Sequence, residues 1–164
     1  HPKASREIAA GILRRLRFSG EDTARILLLV EQHDRPLGDT GRQARRRLSQ
    51  IGEARFRDLL AIKKGDAVGQ GTHPEDIAWL HAIENRLNGV LAAEDCFSLR
   101  RLAVDGNDIK TLGLSGPAVG EMLRALLDAV IEEQAANTRE ALLALARARM
   151  EEQHDEQRTV YRDL

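Results

Sequence analysis

A chain of 164 residues, 42% apolar and 31% charged, can bury a core without covalent staples, and its single Cys96 excludes an intramolecular disulfide or a cysteine-built zinc site. No apolar run approaches the roughly 20 residues of a membrane helix, and the opening HPKASREIAAG lacks a signal-peptide core, so a cytoplasmic protein without a membrane partner is expected, its first residue reading as a cut or processed end. The net charge of −1 conceals an asymmetry: residues 1–64 hold 15 Lys or Arg against 8 Asp or Glu, and residues 65–164 hold 10 against 18, so any phosphate-tracking surface is expected in the first half.

Ile8, Ile12, Leu13 and Leu16 keep helical spacing between about Ala4 and Arg17, and Ser19 with Asp22 offers the N-cap of a second helix. That second helix contains ILLLV, apolar on every face, and is predicted to be the buried centre of the first half, ending at Pro36 and Gly38. A third helix is expected from Asp39 or Thr40, with Ala44, Leu48 and Ile51 inward and Arg42, Arg45 and Arg46 outward. Phe56, Leu59 and Leu60 suggest another helix to about Val68, closed by Gly69, Gly71 and Thr72. Thr72 with Glu75 reads as a capping box, and Pro74 opens a long helix carrying Ile77, Leu80, Ile83, Leu87, Val90 and Leu91.

From Ser98 to Glu133 the pattern is densest. Gly113 can take the positive φ that ends one helix, Pro117 can begin the next, and Val119, Met122, Leu123, Leu126, Leu127, Val130 and Ile131 form one apolar stripe. Asn137 with Glu140 marks a further N-cap, and Leu142, Leu143, Leu145, Ala146 and Met150 continue a last helix that fades into EEQHDEQRTVYRDL, where Tyr161 and Leu164 are too few to anchor it. No stretch alternates as a strand. The expected fold is all-α, a multi-helix bundle of seven to eight helices in two sub-units sharing a core, residues 1–95 and 96–164.

Three constellations carry possible chemistry. His33 and Asp34 are adjacent, as in the metal centre of HD phosphohydrolases, but such a site needs another upstream His, and only His1 is on offer; a helix C-terminus explains the pair equally. Glu21, Asp22 and Arg25 spell EDxxR, the pattern with which tRNA nucleotidyltransferases read a nucleotide's base edge, although capping already accounts for Asp22. LGLSGPAVG brings Gly113 and Gly116 to a helix N-terminus, where backbone N–H groups can meet a phosphate or simply make a turn. The five aromatics, Phe18, Phe56, Trp79, Phe97 and Tyr161, are dispersed, which argues against base stacking as a binding mode.

The order of segments resembles a known family. HPKASREIAAGILRRLRFSGEDTARILLLVEQHD is similar to the second part of the HD-like helical region of bacterial CCA-adding tRNA nucleotidyltransferases and poly(A) polymerases. The segment from Leu99 to Ala146 is similar to their C-terminal region through Gly106, Asp108, Ile109, Gly116, Pro117, Gly120, Asn137, Thr138 and Glu140. The resemblance implies a helical body and tail that hold tRNA, while a separate N-terminal nucleotidyltransferase domain, using magnesium with ATP and CTP, extends the 3′ end. This sequence has no Gly-Gly pair and no Asp-x-Asp, so it offers no two-metal carboxylates; it is expected to be inactive alone, with no cofactor of its own. The expected RNA contacts are Arg42, Arg45, Arg46, Arg47, Lys63 and Lys64, with Gly113 and Gly116. Two alternatives stand beside this reading: a remnant metal-dependent phosphohydrolase built on His1, His33 and Asp34, and an interaction module whose Val119–Ile131 stripe is partly completed by another subunit, as a homo-oligomer, or by a missing domain.

Overall fold

A computed structural model of the protein describes residues 2–71 and 74–162; the readings that rest on His1, on the Thr72 cap, on Leu164 and on the side chain of Tyr161 lie outside what it describes. Seven α-helices and one 3-10 turn make up the described residues, which contain no strand: α1 Pro2–Arg15, α2 Gly20–Gln32, α3 Gly41–Gly69, α4 Pro74–Ala92, the 3-10 turn Leu99–Arg101, α5 Gly106–Lys110, α6 Pro117–Ile131 and α7 Arg139–Arg162. The chain is an all-α multi-helix bundle, and it divides into two compact units, His1–Ala93 and Glu94–Leu164.

In the first unit α1 packs on α2, and α3 on α4. Ser19 caps α2 by accepting from the Asp22 N–H at 3.0 Å and donating to its carboxylate at 2.7 Å. Thr40 and Gln43 form a reciprocal capping box at the start of α3. The two helices expected between Thr40 and Val68 are nearly continuous, broken only at Gly52, where φ 78° and ψ 165° is a conformation that side-chain-bearing residues avoid. The break resets the helical phase, so Ile51 before it and Phe56 after it are both buried. Leu37, Leu48, Leu59, Leu60, Leu80, Ile83, Leu87 and Val90 complete this core.

The expectation that α2 is the buried centre is corrected: none of its residues is buried, and Ile26 to Val30 are each half-exposed. A stretch apolar on every face is covered here by α1 on one side and α3 on another, which spreads partial burial around the helix rather than completing it on one face. The apolar positions Ile8 and Ile12 of α1, and Leu16 just past its end, also stand exposed.

The second unit has its own core. Ile109, Val119, Met122, Leu126, Leu127, Ile131, Leu142, Leu143 and Ala146 pack with Cys96, Leu102 and Val104 into one core. Gly113 has φ 97°, and Pro117 occupies the first turn of α6 behind Gly116 at φ 59°. Asp105 caps α5 by accepting from Asn107 and Asp108 at 2.7 and 3.0 Å, and Asp108 returns the bond to the Asp105 N–H at 3.0 Å. The expected Asn137 cap is displaced by one residue: the Thr138 hydroxyl accepts from Ala141 at the start of α7, and Asn137 instead bonds the Arg101 carbonyl at 2.8 Å and the Ala103 N–H at 2.9 Å.

Candidate nucleic-acid interface

The cations on the first half of α3 differ in what they can offer. Arg42 is exposed, Arg45 and Arg46 are half-buried, and each of the three already engages another group of the chain. A phosphate meeting them would exchange for an existing partner. Arg47 departs from the outward-facing set, being only 7% exposed. Positions 44, 47, 48 and 51 share one helical stripe, and Arg47 lies on it between Ala44 and Leu48. Its Nη2 donates to Gln32 Oε1 at 2.7 Å, its Nη1 reaches Gln50 Oε1 at 3.5 Å, and its buried Nε has no partner.

Lys63 and Lys64 follow the same division. Lys64 Nζ donates to Glu84 Oε2 at 2.6 Å, and His81 Nδ1 lies 3.7 Å from the same oxygen. The Lys64 ammonium holds the Glu84 carboxyl below the ordinary carboxylate range. Lys63 is half-buried, and burial pushes its ammonium down; Asp34 opposes that shift and Arg47 adds to it.

The His33–Asp34 pair is closed on itself. His33 Nδ1 lies 2.8 Å from the Val30 carbonyl, and Nε2 lies 2.9 Å from Asp34 Oδ1. Among the described residues no group of three His, Cys, Asp or Glu side chains converges as metal ligands would. The EDxxR residues are likewise committed, with Asp22 bound to Ser19 and Arg25 forked onto Asp58 at 2.7 and 2.6 Å. Burial pushes the Cys96 thiol up, which disfavours its thiolate.

Around Gly113 and Gly116 the start of α6 has no side-chain cap, and a Cβ added at either glycine would meet nothing within 4 Å. A groove of about 280 Å³ lies beside it, lined by Leu114, Ala118, Glu121, Met122, Ala125, Arg149 and Glu152. Its two carboxylates against one guanidinium disfavour an anion in the groove.

One basic cluster escaped the sequence reading. Arg14, Arg15 and Arg17 are all exposed at the end of α1, beside Leu16 at 60% and Phe18 at 46% exposure. Only Leu13 of the run LRRLRF is buried. Arg17 turns the chain at φ 57°, and the Phe18 N–H closes the helix end onto the Leu13 carbonyl at 3.1 Å. The signal was present as three arginines in four residues, but the periodicity that assigned Leu16 inward hid it.

The family model for tRNA nucleotidyltransferase domain 2 matches residues 3–146. No curated protein and no solved structure matches the chain. The match begins one residue into α1, spans α2 to α6 and runs into α7.

Proposed function

We propose that this chain, which belongs to the tRNA nucleotidyltransferase domain 2 family, is a non-catalytic tRNA-binding body and tail that positions tRNA for a CCA-adding nucleotidyltransferase domain. The family match carries this reading, and the basic first half supplies its physical basis. Exposed arginines on a folded helical surface suit recognition of an RNA by shape and backbone phosphate rather than by base edges. Arg14, Arg15 and Arg17 are exposed together, and Arg42, Arg45 and Arg46 form a second set that reaches phosphate by partner exchange. Arg47 and Lys64 act through the fold, one inside α3 and one bridging to α4. Magnesium and the nucleotides ATP and CTP belong, in this reading, to the nucleotidyltransferase domain.

The test is equilibrium binding of labelled tRNA against a duplex DNA of equal charge across a salt series. The reading expects a preference for tRNA and a steep loss of affinity with salt. Reversing Arg14, Arg15 and Arg17 together to Glu should weaken binding and flatten the slope by about two to three, near 0.7–0.9 per lost phosphate contact. No tRNA binding at low salt, in a chain whose helical signal is intact, sinks the proposal.

A further inference from the structure

The run LRRLRF, residues 13–18, ends α1 in a Schellman turn. The Arg17 N–H donates to the Arg14 carbonyl and the Phe18 N–H to the Leu13 carbonyl, both at 3.1 Å, with Arg17 at φ 57°. The end of α6 closes in the same way, with Glu133 at φ 61° and the Gln134 N–H on the Ala129 carbonyl at 2.8 Å. The backbone is therefore common to two helix ends, and the side chains are not. After its turn α6 carries the polar Gln134, whereas α1 carries Phe18, at the place from which an apolar residue frequently packs on the residue that Leu13 is here. Leu13 is buried, yet Phe18 remains 46% exposed and Leu16 60%. Arg14, Arg15 and Arg17 are exposed in the same run, which holds no acidic residue.

Apolar surface of this size in water is unfavourable, and the turn does not require it, as Gln134 shows. Ring and cations together have the chemistry of a nucleotide's complement, because a nucleotide joins an aromatic face to a phosphate. A fully paired RNA would engage the arginines and leave the ring idle, since a duplex hides its base faces.

We infer that Phe18 is a stacking platform for one unpaired nucleotide of a bound RNA, with the arginines of the same turn taking the phosphates next to that base. The inference rests on the tRNA reading and names the part of the RNA that this turn meets. Stacking uses the face of a base and not its edge, so it adds contact without sequence readout. Five dispersed aromatics make no track for a long single strand, whereas one ring beside three cations suffices for one base.

The experiment titrates the full chain with tRNA, with an RNA hairpin bearing an unpaired loop, and with a fully paired RNA duplex of equal phosphate number, across a salt series. Phe18→Ala should keep the wild-type helical signal and weaken tRNA and hairpin binding on the order of tenfold. It should leave the duplex affinity and the salt slope unchanged, because a lost stack releases no counter-ions. Phe18→Trp should restore the affinity. With the single native tryptophan removed as Trp79→Phe, the emission of the new indole should be quenched on tRNA addition. Trimming the unpaired 3′ nucleotides from the tRNA separates two sources of the base: a Phe18 effect that survives comes from a loop, and one that vanishes comes from the 3′ end. Full tRNA affinity in Phe18→Ala, or equal weakening on duplex and hairpin, overturns the stack while leaving the tRNA reading in place. A wild type that self-associates in sedimentation and becomes monomeric as Phe18→Ala, with tRNA affinity unchanged, gives the ring to a second copy and overturns the stack likewise. Failure of wild type to bind tRNA removes the function proposed above, and the hairpin then decides the stack alone: hairpin binding that Phe18→Ala weakens upholds it, and no hairpin binding overturns it.

Discussion

The two units use charge for different ends. In Glu94–Leu164 charged side chains gather at turns: Asp108 closes the Asp105 capping box and also receives Arg139 from the start of α7 at 2.7 Å, while Arg101 lies over the Phe97 ring at 4.7 Å. In His1–Ala93 three pairs are struts between helices, Arg6 to Glu31, Arg25 to Asp58 and Lys64 to Glu84, beside Arg57 to Glu53 within α3. The first unit also leaves α1 and α2 with exposed or half-exposed apolar side chains, whereas α6 buries most of its stripe. Solvent-exposed ion pairs contribute little to stability, so the struts fix geometry more than they add free energy. The first unit is thus the one whose surface can be rewritten for a partner, and the second is the one whose fold is specified locally.

The strongest way to break that comparison is to empty each core separately. Phe56→Ala should cost about 3–5 kcal/mol and Leu126→Ala about 2–5 kcal/mol. Hydrogen exchange should then show lost protection in α3 and α4 for the first variant, and in α6 and α7 for the second. Equal loss across both units in either variant would mean that they fold as one, and the contrast would fail. Next in size is Gly52→Ala, expected to cost about 1–3 kcal/mol because alanine cannot rest at φ 78° without strain. Its effect should be confined to protection in α3 and α4.

Smaller again is Asp105→Ala, which removes the α5 cap and should cost about 1 kcal/mol in denaturant unfolding. The smallest effect is a pH dependence. The Asp105 backbone N–H, and then Arg139, hold the Asp108 carboxyl below its ordinary value of 3.8. A carboxyl depressed in the folded state contributes stability that is full above its unfolded pKa and is lost as pH falls through its folded one. Melting temperature should therefore drop below pH 4 in wild type, and Asp108→Asn should show a shallower drop from a lower starting point. An identical acid slope in the variant would assign the sensitivity elsewhere, the Lys64–Glu84 strut being the next carboxylate to test.

What could be read in advance follows from the same contrast. The capping residues Ser19 and Thr40, the Gly113–Pro117 turn and the α6 stripe are local in sequence, and each stands where its spacing puts it. Arg47 was legible in principle, since positions 44, 47, 48 and 51 are one stripe, but residue type outweighed position in the reading of an arginine run. The partial burial of α2 was not legible, because an all-apolar stretch records no preferred face and the number of neighbours that cover it is a property of tertiary packing. Asn137 and Thr138 both suit an N-cap, and the choice between them depends on a backbone segment more than thirty residues away.

That last contact has a consequence for a fold without sheets. The Asn137 amide gives its N–H to the Arg101 carbonyl and takes the N–H of Ala103, as one residue of a neighbouring strand would, supplying a single rung of a ladder from a side chain. Leu102, extended at φ −71° and ψ 138°, and its neighbours gain an edge partner without offering an open edge to another chain. The Ala103 amide should accordingly exchange with solvent as slowly as the α6–α7 core, and Asn137→Ala should return it to the rate of a loop.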